Sequence, residues 1–268
     1  MSPVHYWRCL VGNVEREALR FLNQRGRFIA ALVRPLVWLM IFATGFHFVL
    51  CVSIIPPYQT YVPYEDYIAP GLIGMIQLFQ GMQSSLSMVY DREMGSMRTL
   101  MVSPLPRWFL LVAKLLAGVI VSVLQAYVFL AIAWFWEIQP PPIGYLTVLP
   151  ALILSGLMLG ALGLLLSSAI RQLENFAGVM NFVIFPMFFA SSALYPLWRV
   201  QESSLALYYI CSINPFTHAV ELIRFALYGQ FDPVSAAAVL VALLVFMALA
   251  IYGYDPARGL IARRAAVE

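Results

Sequence analysis

Residues 108–136 read WFLLVAKLLAGVIVSVLQAYVFLAIAWFW and hold a single charged residue, Lys114. About 20 consecutive apolar residues are enough for a helix to cross the hydrocarbon core of a bilayer. Backbone N–H and C=O groups in lipid must be satisfied within the segment itself, which restricts a run of this composition to a helix. The stretch therefore predicts a membrane-spanning helix that tilts or begins in the interface, because it is longer than the core is thick.

The composition of the whole chain indicates a membrane protein. Of its 268 residues, 62% are hydrophobic and 11% are charged, whereas soluble domains contain about 25% charged residues. The mean hydropathy is +0.83. Cys9, Cys51 and Cys211 form no CxxC pair, so we interpret them as small apolar residues and expect no metal site. The charged first 30 residues do not have the pattern of a signal peptide.

Six apolar runs predict six transmembrane helices, because runs of this length are helical in lipid. They cover approximately residues 35–55, 67–90, 108–136, 143–169, 175–195 and 233–254. We therefore expect an all-α integral membrane protein in which residues 1–268 form one transmembrane domain.

The distribution of basic residues predicts the orientation of these helices. If the six runs alternate across the membrane, fourteen of the 16 lysines and arginines lie on one side, and only Arg199 and Arg224 lie on the other. Lys and Arg are enriched in cytoplasmic loops. We therefore expect both termini in the cytoplasm, which agrees with the even number of runs.

Aromatic residues lie at the predicted ends of several spans, where interfacial anchors are common. The residues concerned are Tyr58, Tyr61, Tyr64, Tyr67, Trp134 and Trp136. We interpret them as membrane anchors, and the alternative is that they line a substrate path.

Segment 3–27 predicts an amphipathic helix. Its apolar residues recur at steps of three and four, the period of one helix face. These residues are Trp7, Val11, Val14, Ala18 and Leu22. A basic helix with such a face lies in the plane of the membrane surface. We expect an interfacial helix that either anchors the chain or contacts a partner.

The connector DREMGSMRTLMVSP, residues 91–104, separates the second and third predicted spans. Asp91 and Glu93 would stand at the start of a short helix, where the helix dipole favours anions, and Pro104 would end it. Its methionines form an apolar ridge of the adaptable kind found at binding surfaces. By composition alone, the segment is either a loop that joins two spans or a docking helix.

Segment 196–232 is too polar to span a membrane and too apolar to be a free loop. Asn214 and Pro215 predict the start of a helix, with Asn as the N-cap and Pro at the first position. We expect re-entrant or interfacial helices that cap the outer mouth and are supported by protein where they enter lipid. The candidate residues of an outer gate or cap are Asn214, Pro215, His218, Glu221 and Arg224. The last three recur at intervals of three residues, and they form either a gate or one local ion pair.

Four pieces of sequence together resemble the ABC-2 family of ATP-binding-cassette transporter permeases. The family pattern begins with an acidic residue, Arg, Glu, any residue and Gly. Leu, Ser-Pro and a new span then follow. The matching stretch in this chain is DREMGSMRTLMVSPLPRWFLLVAKLL. The later pieces are FPMFFASSALYPL and NPFTHAVELIR, and YIAPGL at 67–72 is similar to the family's entry to the second span. The pieces follow the family's order over most of the chain, which most resembles small bacterial exporters of the drug, polysaccharide and nodulation-factor types.

The resemblance implies a partner and an assembly. In this family the loop between spans two and three carries the coupling helix that sits on the ATPase subunit. We therefore expect an exporter permease of the bacterial cytoplasmic (inner) membrane that works as a homodimer with two copies of an ABC ATP-binding subunit, which binds ATP and Mg. The matching positions for coupling are Asp91, Arg92, Glu93, Gly95, Leu100, Ser103 and Pro104.

No G-x-x-x-x-G-K-[ST] motif occurs, and the single lysine, Lys114, lies in LLVAKLL. Without that phosphate-binding loop the chain has no sequence for gripping ATP. We expect no cofactor on this chain, no catalytic residue and no nucleic-acid partner.

Two other classes of function remain for comparison. An intramembrane hydrolase needs an activated serine at membrane depth, and no G-x-S-x-G occurs. An ion-coupled secondary carrier typically has carboxylates near the membrane midplane, whereas Asp66, Glu137 and Glu174 lie at the borders of the apolar runs. The carrier is the alternative to an ATP-driven permease.

Overall fold

The computed structural model describes residues 6–12, 14, 15, 19, 25–46, 57, 64–94, 106–136, 138–170 and 172–254. These residues are mostly helical, and none of them lies in a β-strand. The predicted all-α class is therefore confirmed.

The helices are long in the first two thirds of the chain and short near residue 200. They are α1 (Arg25–Phe46), α2 (Tyr64–Glu93), α3 (Arg107–Ala133), α4 (Gly144–Ala169), α5 (Leu173–Phe189), α6 (Leu197–Ser203), α7 (Leu205–Ile213), α8 (Pro215–Leu227) and α9 (Pro233–Gly253). A 3₁₀ turn, Trp134–Trp136, follows α3.

Three segments are long and apolar enough to cross a membrane: Trp108–Trp136, Gly144–Ala169 and Pro233–Gly253. They confirm three of the predicted spans as apolar helices. Helix α5 and the Leu32–Ile41 part of α1 are shorter apolar helices. Helix α2 is long, at 30 residues, but its glutamines and serines lower its hydropathy. The six-span arrangement as a whole stays a prediction.

Helices α2 and α4 form the centre of the bundle. Helix α2 packs against α1, α3, α4, α5 and α8, while α4 also packs against α3, α8 and α9. Ile68, Leu72, Leu78 and Met82 of α2 are completely buried. Because α2 is surrounded by other helices, its polar side chains can be satisfied by protein and need not face lipid.

A buried hydrogen-bond group joins the two central helices. Gln77 Nε2 donates to the carbonyl oxygen of Leu152 at 2.7 Å, and the Ser155 hydroxyl donates to Gln77 Oε1 at 2.6 Å. Gln77 therefore has partners for both ends of its amide, as buried polar groups usually do. This group fixes the register of α2 against α4.

Glycines let the same two helices approach closely. A Cβ atom at Gly163 of α4 would lie 2.7 Å from the carbonyl oxygen of Gly81 in α2, and one at Gly81 would lie 3.0 Å from Gly160 Cα. Small residues at helix contacts are the usual way for membrane helices to pack backbone against backbone. A larger side chain at either position would separate α2 from α4.

The described part of segment 3–27 agrees with a helix. Residues 6–12, 14, 15 and 19 are helical. Trp7 is 68% exposed, as expected for an apolar side chain that faces a membrane surface. The Tyr6 ring meets the Phe109 ring edge to face, with centroids 4.9 Å apart, so the segment lies against the start of α3. Its interfacial position stays a prediction.

Two helices have bounds that differ from those of the predicted apolar runs. Helix α1 begins at Arg25 rather than near residue 35, because an apolar run marks only the part of a helix that lipid would cover. Residues 47–55 of that predicted span lie outside the described residues. Helix α5 ends at Phe189 rather than at 195. There the Ser191 hydroxyl donates to the Phe188 carbonyl at 2.6 Å and accepts from the Ala193 N–H at 3.2 Å, and such side-chain bonds compete with helix continuation.

Candidate functional site

The first three residues of the connector, Asp91, Arg92 and Glu93, lie in the last turn of α2, which ends at Glu93. The prediction that Asp91 and Glu93 begin a short helix is therefore wrong. Anions are unfavourable at the C-terminal end of a helix dipole, so both carboxylates need compensation from elsewhere. Each has a partner from another part of the chain.

Asp91 pairs with a buried lysine of the next helix. Its Oδ2 lies 3.8 Å from Nζ of Lys114 in α3, and Lys114 is 6% exposed. A buried ammonium is costly unless a carboxylate compensates it. This pair therefore holds the end of α2 against the early part of α3.

Arg92 reaches two further helix ends. Its Nη1 donates to the carbonyl oxygen of Ile170 at 3.0 Å, immediately after the last residue of α4. Its guanidinium carbon also lies 5.1 Å from the centroid of the Tyr254 ring, which follows α9. A cation there complements the negative C-terminal ends of α4 and α9, and Arg is suited to stacking on an aromatic ring.

Glu93 makes the last connection, to the start of α5. Its Oε2 accepts the backbone N–H of Leu173 at 3.2 Å, and Leu173 is the first residue of α5. A carboxylate at a helix N-terminus satisfies a free N–H and complements the dipole. The Tyr254 hydroxyl shares a 2.7 Å hydrogen bond with Ser167 of α4, which joins the same group.

We call this group the charged junction. It consists of Asp91, Arg92 and Glu93 together with Lys114, Ile170, Leu173 and Tyr254. The junction joins the ends of five helices, α2, α3, α4, α5 and α9, at one end of the bundle. A displacement of the chain that follows Glu93 would therefore act on all five. Gly95, Leu100, Ser103 and Pro104 of the predicted coupling segment lie outside the described residues.

The outer segment 196–232 contains three helices, α6, α7 and α8. Asn214 is the N-cap of α8, since its Oδ1 accepts the Phe216 N–H at 3.0 Å, and Pro215 is the first helical residue. The predicted helix start is therefore confirmed. The Asn214 amide also donates to the carbonyl oxygens of Met187 at 2.8 Å and Ala190 at 2.7 Å, which ties α8 to the end of α5.

Arg224 is buried rather than exposed, with 2% of its surface accessible. It forms an ion pair with Glu221 and donates to the carbonyl oxygen of Ser192 at 2.8 Å. Its guanidinium carbon lies 4.1 Å from the centroid of the Tyr67 ring. These four residues form what we call the arginine cluster. His218 does not join it, because its ring nitrogen contacts the Ser212 carbonyl at 3.0 Å.

Tyr64 and Tyr67 have a different role from the predicted membrane anchors. Both are 2% exposed, and their hydroxyls donate to the carbonyl oxygens of Leu194 at 2.7 Å and Ser192 at 3.0 Å. They therefore pack inside the protein and hold the turn after α5 against the start of α2. Trp134 and Trp136 are about half exposed, in keeping with anchors. Tyr58 and Tyr61 lie outside the described residues.

Sequence reasoning missed Lys114, Tyr254, Tyr67 and Ser192 as members of these two groups. Lys114 carried a signal, because a lone lysine inside an apolar run needs a partner. The other three have no local signal, since their partners are distant in sequence. Among the described residues, no group of three or more His, Cys, Asp or Glu could hold a metal ion.

The sequence model of the family described as "ABC-2 type transporter" matches residues 9–228. A protein of Escherichia coli (strain K12) named "Probable multidrug ABC transporter permease YbhR" is 32% identical over 170 residues, which are 62% of this chain and 45% of that protein. The chain thus matches about half the length of that relative. A protein of Porphyra purpurea named "Putative transport permease ycf38" is 26% identical over 82% of this chain and 73% of its own length. "Nodulation protein J" of Rhizobium leguminosarum bv. viciae is 31% identical over 32% of each chain.

Proposed function

The chain belongs to the ABC-2 type transporter family, and we propose that it is the permease of an ATP-driven exporter that works with a separate ATP-binding subunit. The observation that carries this proposal is the match of the family over residues 9–228, which include the arginine cluster and all of the charged junction except Tyr254. Similar proteins bear the names of transport permeases. The absence of a phosphate-binding loop means that the energy of ATP has to come from another chain.

We place six spans in a bacterial cytoplasmic membrane, formed by α1, α2, α3, α4, α5 and α9. The uneven distribution of basic residues supports this orientation with both termini inside. In it, the charged junction faces the cytoplasm and the arginine cluster faces outward. The end of the bundle where five helices meet is then the end that an ATPase can reach.

The mechanism that we propose starts at the connector. The ATP-binding subunit contacts residues 95–104, and its movement on ATP binding displaces the chain that follows Glu93. The charged junction distributes this displacement to the ends of α3, α4, α5 and α9, because each is bonded to the last turn of α2. At the other end, the arginine cluster holds the outer segment closed over the bundle until the helices shift.

A dimer of permeases with two ATP-binding subunits fits this scheme. Two cavities in the described part of the chain, both among helices α1–α4, have volumes of about 10 and 30 Å³, whereas a ligand of drug size needs a pocket of about 300 Å³ or more. Neither cavity can pass such a cargo. A path between two copies of the chain would supply the missing space.

Co-purification tests the proposal. The chain is co-expressed with an ATP-binding subunit and purified through a tag on the permease. Leu100→Asp should lose most of the bound subunit, because it places a charge in the proposed contact. Leu205→Asp is the matched control, since Leu205 is exposed at the other end of the bundle, and it should retain the subunit.

A vesicle assay separates this function from an ion-coupled carrier. Vesicles that contain the permease and its ATP-binding subunit should transport on addition of ATP and should not respond to a proton gradient alone. Transport by the permease alone under a proton gradient would instead establish the carrier.

A further inference from the structure

Arg34 lies in the middle of α1, on a side of the helix that is otherwise apolar and exposed. Its neighbours on that side, Val33, Val37 and Met40, are 47%, 47% and 59% exposed, and Arg34 itself is exposed. Its guanidinium carbon stands 3.9 Å from the centroid of the Phe79 ring of α2. Arg34 directly precedes the predicted span 35–55, so its charge lies at the border of the lipid-covered part of α1, where a long arginine side chain can reach polar groups such as lipid headgroups.

A cavity next to Arg34 contains a buried amide with no hydrogen-bond partner. Gln125 of α3 is 0% exposed, and neither its Nε2 nor its Oε1 has a partner among the described residues. It lines a cavity of about 30 Å³ with Arg34, Gln80 and Gln83. We call this the glutamine cavity. Its volume is enough for a water molecule or for one small polar group of a larger molecule.

The Gln125 amide differs from the amide of Gln77. Gln77, on the same helix as Gln80 and Gln83, has partners at both ends of its amide. An unpaired buried amide costs stability, and a buried polar group without a partner in the protein is commonly satisfied by a water molecule or by a bound group. In the glutamine cavity, polar side chains from α1, α2 and α3 converge on one space.

Among the described residues, no acidic side chain lines the glutamine cavity, and Arg34 is its one charged group. The sequence of α1 contains no Asp or Glu, and neither does that of α3. In α2 no acidic residue lies between Asp66 and Asp91. The cavity therefore offers one guanidinium and several amide N–H groups, which is the donor set that binds phosphate or carboxylate oxygens.

We propose that the glutamine cavity binds the anionic phosphate or carboxylate of an amphiphile whose apolar part lies along the exposed side of α1. Arg34 supplies the charge, and Gln125 donates its amide N–H groups to the same oxygens. The exposed Val33, Val37 and Met40 provide the apolar surface beside the anion. The inference rests on the proposed position of α1 in the membrane and does not require coupling to ATP.

The anion can come from a membrane phospholipid or from a cargo, and two probes distinguish these sources. The full chain is placed in nanodiscs of phosphatidylcholine that contain either phosphatidylglycerol or dodecyl phosphate as a minor component. Native mass spectrometry then measures how much of each probe remains bound after release from the nanodisc. Retention of phosphatidylglycerol alone assigns the site to the bilayer lipid, and retention of dodecyl phosphate alone assigns it to a cargo. Retention of both means that the site selects the anionic group.

Arg34→Gln should weaken retention about tenfold, the size of one lost charge-assisted hydrogen bond, while Arg34→Lys should retain part of it. Gln125→Met, which keeps the side-chain volume, should weaken it in the same direction. Arg199→Gln is the control, since it removes a charge from the outer segment, and it should bind as the unaltered chain does.

Equal retention by the unaltered chain, Arg34→Gln and Gln125→Met would overturn the proposal. It would also fail if Arg34→Gln changed only the fraction of dimer, because Arg34 would then belong to a contact between two permeases. Since no ATP is added, a negative result here leaves the proposed ATP-driven function untouched, and failure of the vesicle assay leaves this site untouched.

Discussion

Arg224 shows how this chain holds a charge inside a helical bundle. The guanidinium contacts a carboxylate, two backbone carbonyls and an aromatic ring that come from three separate parts of the chain. Arg92 uses the same combination of a carbonyl oxygen and a ring at the opposite end. In both places an arginine joins helix ends that are distant from one another in the sequence.

Removal of the Arg224 side chain should destabilise the protein strongly. Arg224→Ala leaves Glu221 and the Ser192 carbonyl without their cation, and breaking a buried pair from one side costs about 3–5 kcal/mol. Arg199→Ala removes an arginine that only stacks on Trp198, with its guanidinium carbon 5.1 Å from the ring centroid, and should cost less than about 1 kcal/mol. Thermal unfolding of both variants in the same detergent measures the difference. Equal stability of the two would mean that the arginine cluster contributes nothing to folding.

Replacement of Gln125 should raise the stability of the protein, whereas removal of the Arg224 side chain should lower it. Gln125→Met replaces an amide that has no partner by an apolar side chain of similar shape. The folded protein then no longer bears the desolvation cost of an unsatisfied group, which is about 1–3 kcal/mol. The variant should therefore unfold at a higher temperature than the unaltered chain when no anionic amphiphile is present. A lower unfolding temperature would show that a water or another group already satisfies the amide.

At the scale of the helices, close packing between α2 and α4 determines the bundle. The sequence could predict α3, α4 and α9, because each has an apolar run long enough to span. It could not predict which helices meet, since α2 and α4 are joined by glycines and a glutamine whose partners are about 80 residues away. It could not place the ends of α1 and α5 either, because hydropathy does not report where backbone hydrogen bonds stop.

The charged junction was predictable only in part. The acidic-Arg-Glu pattern identified Asp91, Arg92 and Glu93 as residues of interest, but the helix dipole suggested the wrong end of a helix for them. The structure continues α2 through Glu93. The carboxylates are then satisfied by Lys114 and by the N–H of Leu173, which are tertiary contacts that no local pattern contains.

A methyl group at Gly163 should weaken the packing of α2 against α4. Its Cβ would lie 2.7 Å from a backbone oxygen of Gly81, so a helix must shift. Overpacking of this kind costs about 1–3 kcal/mol. Gly178→Ala is the matched control, because a Cβ there meets nothing within 4 Å, and it should be neutral or stabilising by up to about 1 kcal/mol. Unfolding temperatures that change equally in the two variants would exclude close packing at Gly163.

At the scale of the whole molecule, the uneven distribution of charge gives the bundle two different ends. If the six predicted spans alternate across the membrane, fourteen of the 16 basic residues, including those of the charged junction, fall on the side that we place in the cytoplasm. The other end has the outer segment, whose one buried arginine is already paired. An ATPase that drives the permease therefore has one end to engage.

Cysteine labelling from outside the cell tests this orientation. Apart from the buried positions 57, 64, 200 and 211, single cysteines placed at 57–64 or 199–212 should react with an impermeant maleimide, and those placed at 92–106 should not. Cys9 and Cys51 are first replaced. Cys211 can remain, because it is 0% exposed and burial raises the pKa of its thiol, which keeps it protonated and unreactive. Labelling of a cysteine at position 98 in intact cells would contradict the orientation.

The central claim is that the charged junction transmits the movement of an ATP-binding subunit to the helices. The most direct measurement is ATP turnover by the purified complex in nanodiscs, with Glu93→Ala against Glu202→Ala, which removes an exposed glutamate from the outer segment. Glu93→Ala removes the bond between α2 and α5, yet a single exposed charge changes stability by only about 0.5 kcal/mol. The complex should therefore stay assembled, while stimulation of ATP turnover by the permease falls at least about fivefold, a typical coupling between two sites.

Glu202→Ala should turn over ATP as the unaltered complex does. Full stimulation in the Glu93→Ala complex would contradict the claim.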